Sequence, residues 1–72
     1  MIDYSIEINK DELPKLLQNI IEDLEKYDKE GNTEMYDGYS SAFYAVAKNF
    51  YAEGVISKNL FKQLIRKHGG DY

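Results

Sequence analysis

The sequence contains no cysteine, which excludes disulfide bonds and metal sites built on thiolates. It has a single histidine, His68, and the nearest carboxylate in the sequence is that of Asp71. We therefore expect His68, at the end of a helix, to interact with the helix dipole or to face solvent rather than to bind a metal ion or to act in catalysis. No glycine-rich phosphate-binding motif occurs, so no cofactor is predicted. These absences predict a protein that is not an enzyme.

Long hydrophobic runs are also missing. No apolar run approaches the ~20 residues that a membrane span needs. The first residues do not show the basic, apolar and small-residue pattern of a secretion leader. Together with the absence of cysteine, this favours a protein of the reducing cytoplasm with no membrane partner.

Charge is distributed unevenly along the chain. Residues 1–37 contain eleven carboxylates and four lysines, whereas residues 38–72 contain five basic and two acidic residues. The formal net charge is −4. Such asymmetry steers charged partners, although opposite charges in one small fold also neutralise each other.

The 72 residues form one domain, 1–72, for which we predict an all-α fold: a three-helix bundle preceded by a short extended arm or a lone strand. Residues 1–9 alternate apolar and polar side chains, which is typical of a strand, but no second run of this kind is available for pairing. The segment therefore packs on the helices as an arm, pairs with a second copy of the chain, or adds to the sheet of a partner.

The first helix is predicted over residues 11–29, with Asp11 as N-cap and Pro14 in the first turn. An apolar stripe at three- and four-residue spacing marks its buried face. Gly31 is suited to end this helix, and Asn32 or Thr33 to cap the next. The stripe consists of Leu13, Leu16, Leu17, Ile20, Ile21, Leu24 and Tyr27.

The second helix is predicted over residues 33–53. The chain has seven tyrosines and three phenylalanines, and six of these ten side chains lie in this segment. Small residues face away from the aromatic stripe, so we expect the helix to be enclosed by neighbours from the same chain or from a second copy. The aromatic side contains Tyr36, Tyr39, Phe43, Val46, Ala47 and Phe50; the small residues are Gly38, Ala42, Ala45 and Ala52.

The third helix is predicted over residues 57–67. Ser57 is suited to cap it, Gly54 to end the preceding helix, and Gly69 and Gly70 to end the third. Its apolar residues are expected to be buried and its cations to face outward. The apolar residues are Leu60, Phe61, Leu64 and Ile65.

Acidic residues around the connection between the first two helices suggest a comparison with calcium-binding loops. An EF-hand loop beginning at Asp28 needs glycine at its sixth position and glutamate at its twelfth. The sequence has Thr33 and Tyr39 there, so no metal site is predicted.

Two charged surfaces remain as candidate binding sites. The acidic one, which is suited to a basic groove that otherwise accepts phosphate, consists of Asp23, Asp28, Glu30, Glu34 and Asp37. The basic one, with Tyr44 or Tyr51 as candidates for stacking, consists of Lys58, Lys62 and Arg66, with Lys67 following. Because the protein is acidic overall, direct binding to nucleic acid is the less favoured interpretation.

The C-terminal half carries a resemblance through residues 50–69, which read FYAEGVISKNLFKQLIRKHG. With the aromatic helix from about Tyr36, the stop at Gly54 and the cap at Ser57, this segment resembles small helical proteins carried by phages and mobile elements of Gram-positive bacteria. Inhibitors of host defence, including anti-CRISPR proteins, are found among such acidic chains. The resemblance implies a fold and a context, and no functional residue.

These observations lead to one main hypothesis and two alternatives. The main one is a non-enzymatic protein-binding module, a phage-encoded inhibitor of a nucleic-acid-targeting defence complex of the anti-CRISPR type. It binds the basic groove of a larger protein through the acidic surface. The alternatives are a small DNA-binding regulator that uses the basic helix, and a structural homodimer formed through the N-terminal segment or the face containing Gly38, Ala42 and Ala45.

Overall fold

A computed structural model describes residues 2–68 and shows three α-helices preceded by a short 3-10 helix. We label the α-helices α1, Lys15–Glu30, α2, Thr33–Ala52, and α3, Lys58–Lys67. The predicted all-α fold is confirmed, and residues 2–68 contain no strand. The predicted stop at Gly69 and Gly70 lies outside the described residues. No helix within residues 2–68 has the length and hydropathy required to cross a lipid bilayer.

The first helix begins later than predicted. The 3-10 helix spans Lys10–Glu12, and the Asn9 side chain caps it by accepting a hydrogen bond from the Asp11 N–H. Pro14 then occupies the N-cap position of α1. Asp11 is therefore not the cap of a helix that passes through Pro14. A proline fixes its own backbone and disfavours helical geometry in the residue before it, so the chain completes a separate turn first.

The boundaries of α2 follow from local hydrogen bonds. The Asn32 side chain accepts a hydrogen bond from the Met35 N–H at 3.2 Å, which satisfies one of the free amides at the helix start. The helix continues through Gly38 as predicted and ends at Ala52, followed by Gly54 with φ of 77°. Gly31, with φ of 69°, ends α1 in the left-handed conformation that glycine adopts without steric cost.

The cap of α3 is also the predicted one. The Ser57 hydroxyl accepts a hydrogen bond from the Leu60 N–H at 3.1 Å, and the helix itself spans Lys58–Lys67. Near one end of this pair of helices, Tyr51 of α2 stacks on Phe61 with ring centroids 5.0 Å apart. Near the other end, the Tyr36 hydroxyl reaches the backbone of His68. Helices α2 and α3 therefore run antiparallel.

A single apolar core lies between the helices. Each helix contributes fully buried side chains, and the arm and the α2–α3 connection each add one isoleucine. Close packing of this kind provides most of the stability of short helices. The buried apolar residues are Ile2, Leu13, Leu17, Ile21, Leu24, Tyr36, Phe43, Ala47, Ile56 and Leu64.

The N-terminal segment packs on the bundle as an arm. Ile2 is buried, and the Asp3 N–H donates a hydrogen bond to the Lys67 carbonyl oxygen at 2.7 Å. The backbone then turns at Tyr4 and Ser5 instead of continuing as an extended strand. Within the single chain the segment has the arm arrangement; pairing with a second copy and addition to the sheet of a partner stay predictions.

Burial differs from the sequence expectation in two places. Helix α2 is not enclosed by its own chain, because Gly38, Ala42, Ala45 and Ala52 are all exposed on its outer side. Enclosure by a second copy stays a prediction. Leu16, which belongs to the apolar stripe predicted for α1, is 52% exposed. A bundle of three short helices is too thin to cover the whole circumference of its central helix.

Candidate functional site

The connection between α1 and α2 forms a cleft of about 310 Å³. Two aromatic rings, those of Tyr27 and Tyr36, form part of its wall. The carboxylate residues Asp28 and Asp37 also line it, so two of the five predicted acidic residues meet at one cavity. We call this cavity the acidic cleft; its lining is Tyr27, Asp28, Gly31, Asn32, Thr33, Tyr36 and Asp37.

Further acidic residues affect the pKa of Tyr27, which lines the acidic cleft. Desolvation raises the pKa of the Tyr27 hydroxyl, and contact with Tyr39 and the negative charges of Asp23 and Glu30 raise it further. The rings of Tyr27 and Tyr39 lie 5.2 Å apart. Asp28 and Asp37 therefore line the cleft, and the charges of Asp23 and Glu30 act on one of its lining residues. The fifth predicted acidic residue, Glu34, is exposed in the first turn of α2 and does not line the cleft.

The N-terminal arm contacts the same region. The Tyr4 hydroxyl donates a hydrogen bond to the Asp28 carboxylate at 3.2 Å. Desolvation and this hydrogen bond to Asp28 both raise the pKa of Tyr4. Because Tyr4 is 52% exposed, the contact is accessible to solvent and can open without disturbing the core.

Within the described part of the chain, none of the five predicted acidic residues forms an ion pair. The one ion pair within residues 2–68 joins Lys10 to Glu25, at 2.7 Å. Glu25 therefore pairs with a lysine of the 3-10 helix and not with its neighbours on α1. Glu30, Glu34 and Asp37 are exposed, whereas Asp23 and Asp28 are partly exposed.

Within residues 2–68, the acidic residues are not grouped as metal ligands. Residues 2–68 contain no group of three or more carboxylate or histidine side chains arranged to hold a metal ion. The geometry suits a cationic side chain instead, because a guanidinium or ammonium group gains charge-assisted hydrogen bonds from carboxylates and attraction from the faces of tyrosine rings.

The predicted basic residues lie at a second cavity, of about 300 Å³, between α2 and α3. Lys62 and Arg66 line it, whereas Lys58 stands one turn earlier on α3 and does not. Two aromatic residues, Tyr44 and Phe61, share this lining. We call this cavity the basic cleft; it is lined by Tyr44, Phe61, Lys62, Ile65 and Arg66.

Phe61 is one of two members of the basic cleft, with Ile65, that the sequence analysis assigned to the core. It is only partly buried, and Tyr51 stacks on it with an interplanar angle of 8°. Tyr44 lies 6.1 Å from it, centroid to centroid, and the Lys48 ammonium lies 6.0 Å from the Tyr44 ring. In the sequence, the pattern that indicates this cluster is the recurrence of Tyr44, Lys48 and Tyr51 on one side of α2.

His68 does not face solvent, so this one of the two roles predicted for it is wrong. It is 2% exposed, and its ring lies 4.9 Å from that of Phe43. Its Nδ1 lies 2.9 Å from the Leu64 carbonyl oxygen, which can only accept, so Nδ1 is the protonated nitrogen. Its Nε2 has no hydrogen-bond partner among residues 2–68. Burial, as the largest effect, lowers the pKa of His68.

Comparison with known proteins adds no name to these sites. The chain matches no family model, no curated protein and no solved structure.

Proposed function

We propose that this chain is a non-enzymatic protein-binding module that acts in the cytoplasm and binds the basic groove of a larger protein. The observation that carries the proposal is the acidic cleft, where two tyrosine rings and two carboxylates lie at one accessible cavity. Asp23, Glu30 and Glu34 extend the negative surface around it. None of these acidic residues forms an ion pair within residues 2–68.

A basic groove that holds nucleic acid is the partner surface of matching chemistry. Such a groove is lined by lysine and arginine side chains that respond to negative charge at suitable spacing. Carboxylates on a helical hairpin can take the place of phosphates there, while an arginine of the partner enters the acidic cleft. The module thereby blocks access of nucleic acid to the groove.

The narrower form of the proposal is a phage-encoded inhibitor of a host nucleic-acid-targeting defence complex, of the anti-CRISPR type. It is supported by the resemblance of residues 50–69 to small helical proteins of phages and mobile elements, together with the acidic surface. The homodimer alternative has a separate observation in its favour, the exposure of Gly38, Ala42 and Ala45 on the outer side of α2. Binding of a partner and self-association can coexist, because these three residues do not line the acidic cleft.

The test compares two variants of equal net charge. Each replaces three exposed carboxylates by lysines and so changes the formal net charge from −4 to +2. The acidic-end variant combines Glu30→Lys, Glu34→Lys and Asp37→Lys. The control variant combines Glu7→Lys, Asp11→Lys and Glu12→Lys.

Immobilised wild-type chain and both variants are used to capture proteins from a Gram-positive host lysate, with identification by mass spectrometry. We expect the wild type and the control variant to retain a nucleic-acid-binding protein that the acidic-end variant does not retain. The purified partner should bind its nucleic acid more weakly when wild-type chain is added. Equal retention by the two variants, or unchanged nucleic-acid binding by the partner, would contradict the proposal.

A further inference from the structure

We propose that the basic cleft is a second binding site and that it takes single-stranded nucleic acid. This inference is independent of the acidic cleft, with which the basic cleft shares no residue. It also departs from the sequence interpretation, in which direct binding of nucleic acid was the less favoured reading. The reason is that the fold brings aromatic and cationic side chains from α2 and α3 to one cavity.

The aromatic side chains supply a surface for a base. Tyr51 and Phe61 already form a parallel stack, and Tyr44 extends the cluster toward the cavity. Tyr51 is 37% exposed, and Tyr44 and Phe61 are partly exposed. Aromatic rings that remain accessible beside a cavity stack bases of any sequence, because every base has a π face.

The cations supply contacts for phosphates. Lys62 and Arg66 line the cavity, and among residues 2–68 no carboxylate does. Lys48 and Lys58 stand nearby on α2 and α3. None of these four side chains forms an ion pair within residues 2–68, so their charges are available to an anionic ligand.

The geometry favours a strand over a mononucleotide or a duplex. Lys58, Lys62 and Arg66 recur every four residues along α3, so they extend over ~12 Å at 1.5 Å per residue. That length is greater than the width of a single phosphate group. A duplex keeps the faces of its bases stacked inside, where Tyr44 and Phe61 cannot reach them, whereas a single strand exposes them.

The test is a fluorescence anisotropy titration of the full chain with a labelled oligothymidylate of about twelve nucleotides. With two or three phosphates neutralised, affinity should fall about 7- to 18-fold between 50 and 200 mM salt. The double variant Lys62→Ala and Arg66→Ala should bind at least about tenfold more weakly. A control that removes the same charge from exposed positions of α1, Lys15→Ala and Lys29→Ala, should remain within about twofold.

A third variant separates stacking from charge. Tyr44→Leu keeps an apolar side chain on α2 but removes the ring, and it should weaken binding about fivefold or more. Circular dichroism verifies that each variant is folded. Equal affinity for a duplex of the same length, equal loss in the α1 control, or full competition by thymidine monophosphate at similar concentration would each overturn the proposal. The acidic-end variant should not weaken this binding, so failure here is distinguishable from failure of the proposed function.

Discussion

The Tyr36 hydroxyl donates a hydrogen bond to the His68 carbonyl oxygen at 2.9 Å, in a buried position and across 32 residues of sequence. Tyr36 lies in the second turn of α2, and His68 directly follows α3. The bond therefore fixes the end of the third helix against the start of the second. Because Tyr36 also lines the acidic cleft, the same residue connects the core to the candidate site.

Replacing Tyr36 by phenylalanine should lower the free energy of unfolding by about 1 kcal/mol, because a buried carbonyl loses its donor while the ring is kept. Urea unfolding followed by circular dichroism measures this change. Tyr4→Phe is the matched control, since it removes the exposed hydroxyl bonded to Asp28 and should change stability much less. Equal losses for the two variants would show that the buried hydrogen bond contributes no more to the free energy of unfolding than the exposed one.

His68 should make folding sensitive to mild acid. Burial lowers its folded pKa below the ordinary value of 6.5, with Lys67 and Lys10 acting in the same direction and the Leu64 hydrogen bond and Glu25 opposing. Between the two pKa values the unfolded chain binds more protons than the folded one. Stability is therefore fully present above about pH 6.5 and falls as the pH decreases below that value, by about 1.4 kcal/mol per unit of pKa difference.

The measurement compares unfolding free energies of the wild type and His68→Phe between pH 7.5 and pH 5, a window chosen around the ordinary histidine pKa near 6.5. Phenylalanine keeps a ring beside Phe43 but does not titrate. The difference in stability between the two proteins should shift in favour of the variant as the pH falls. Parallel pH dependences would mean that His68 is protonated in the fold without cost.

Features with local causes were predictable from the sequence. Asn32 and Ser57 cap helices through hydrogen bonds to amides three residues away, and Gly31 ends α1 by its own backbone conformation. The features that sequence reasoning missed depend on distant parts of the chain. Burial of His68 depends on Phe43, and the basic cleft depends on the packing of α3 against α2.

The apolar stripe of α1 also shows that the sequence pattern of one helix does not determine which of its residues are buried. Leu16 and Leu17 were assigned to the buried face together, yet Leu17 is fully buried and Leu16 is 52% exposed. Leu17→Ala should lower the unfolding free energy by about 2–5 kcal/mol and can abolish the cooperative transition of so small a domain. Leu16→Ala should change it by less than about 1 kcal/mol. Denaturant titration of both variants checks the difference, and similar losses would contradict the described core.

Gly38 distinguishes a monomer from a homodimer packed on the outer side of α2. Apart from the backbone of the surrounding helix turns and the two adjacent residues, nothing in residues 2–68 lies within 4 Å of a methyl group placed on Gly38, and its φ is not positive. In a monomer Gly38→Ala should raise the unfolding free energy by about 0.5–1 kcal/mol, because alanine favours helix. Gly31→Ala should instead lower it by about 1–2 kcal/mol, because φ is 69° there.

Close packing of a second copy on Gly38 would instead make Gly38→Ala lower the free energy of unfolding. Unfolding of Gly38→Ala at several protein concentrations, with light scattering on the same samples, reads out both possibilities. Stabilisation that is independent of concentration supports the monomer. Destabilisation together with loss of a dimer would establish the homodimer alternative.

The central claim is that binding of a basic partner depends on where the negative charge lies, namely at the acidic end of the bundle. Its most direct test is the affinity of a labelled oligo-arginine peptide for the wild type, the acidic-end variant and the control variant, measured by fluorescence anisotropy at one salt concentration. We predict that the acidic-end variant loses at least about tenfold more affinity than the control variant, although both carry the same net charge. Equal losses would show that only total charge matters and would contradict the account.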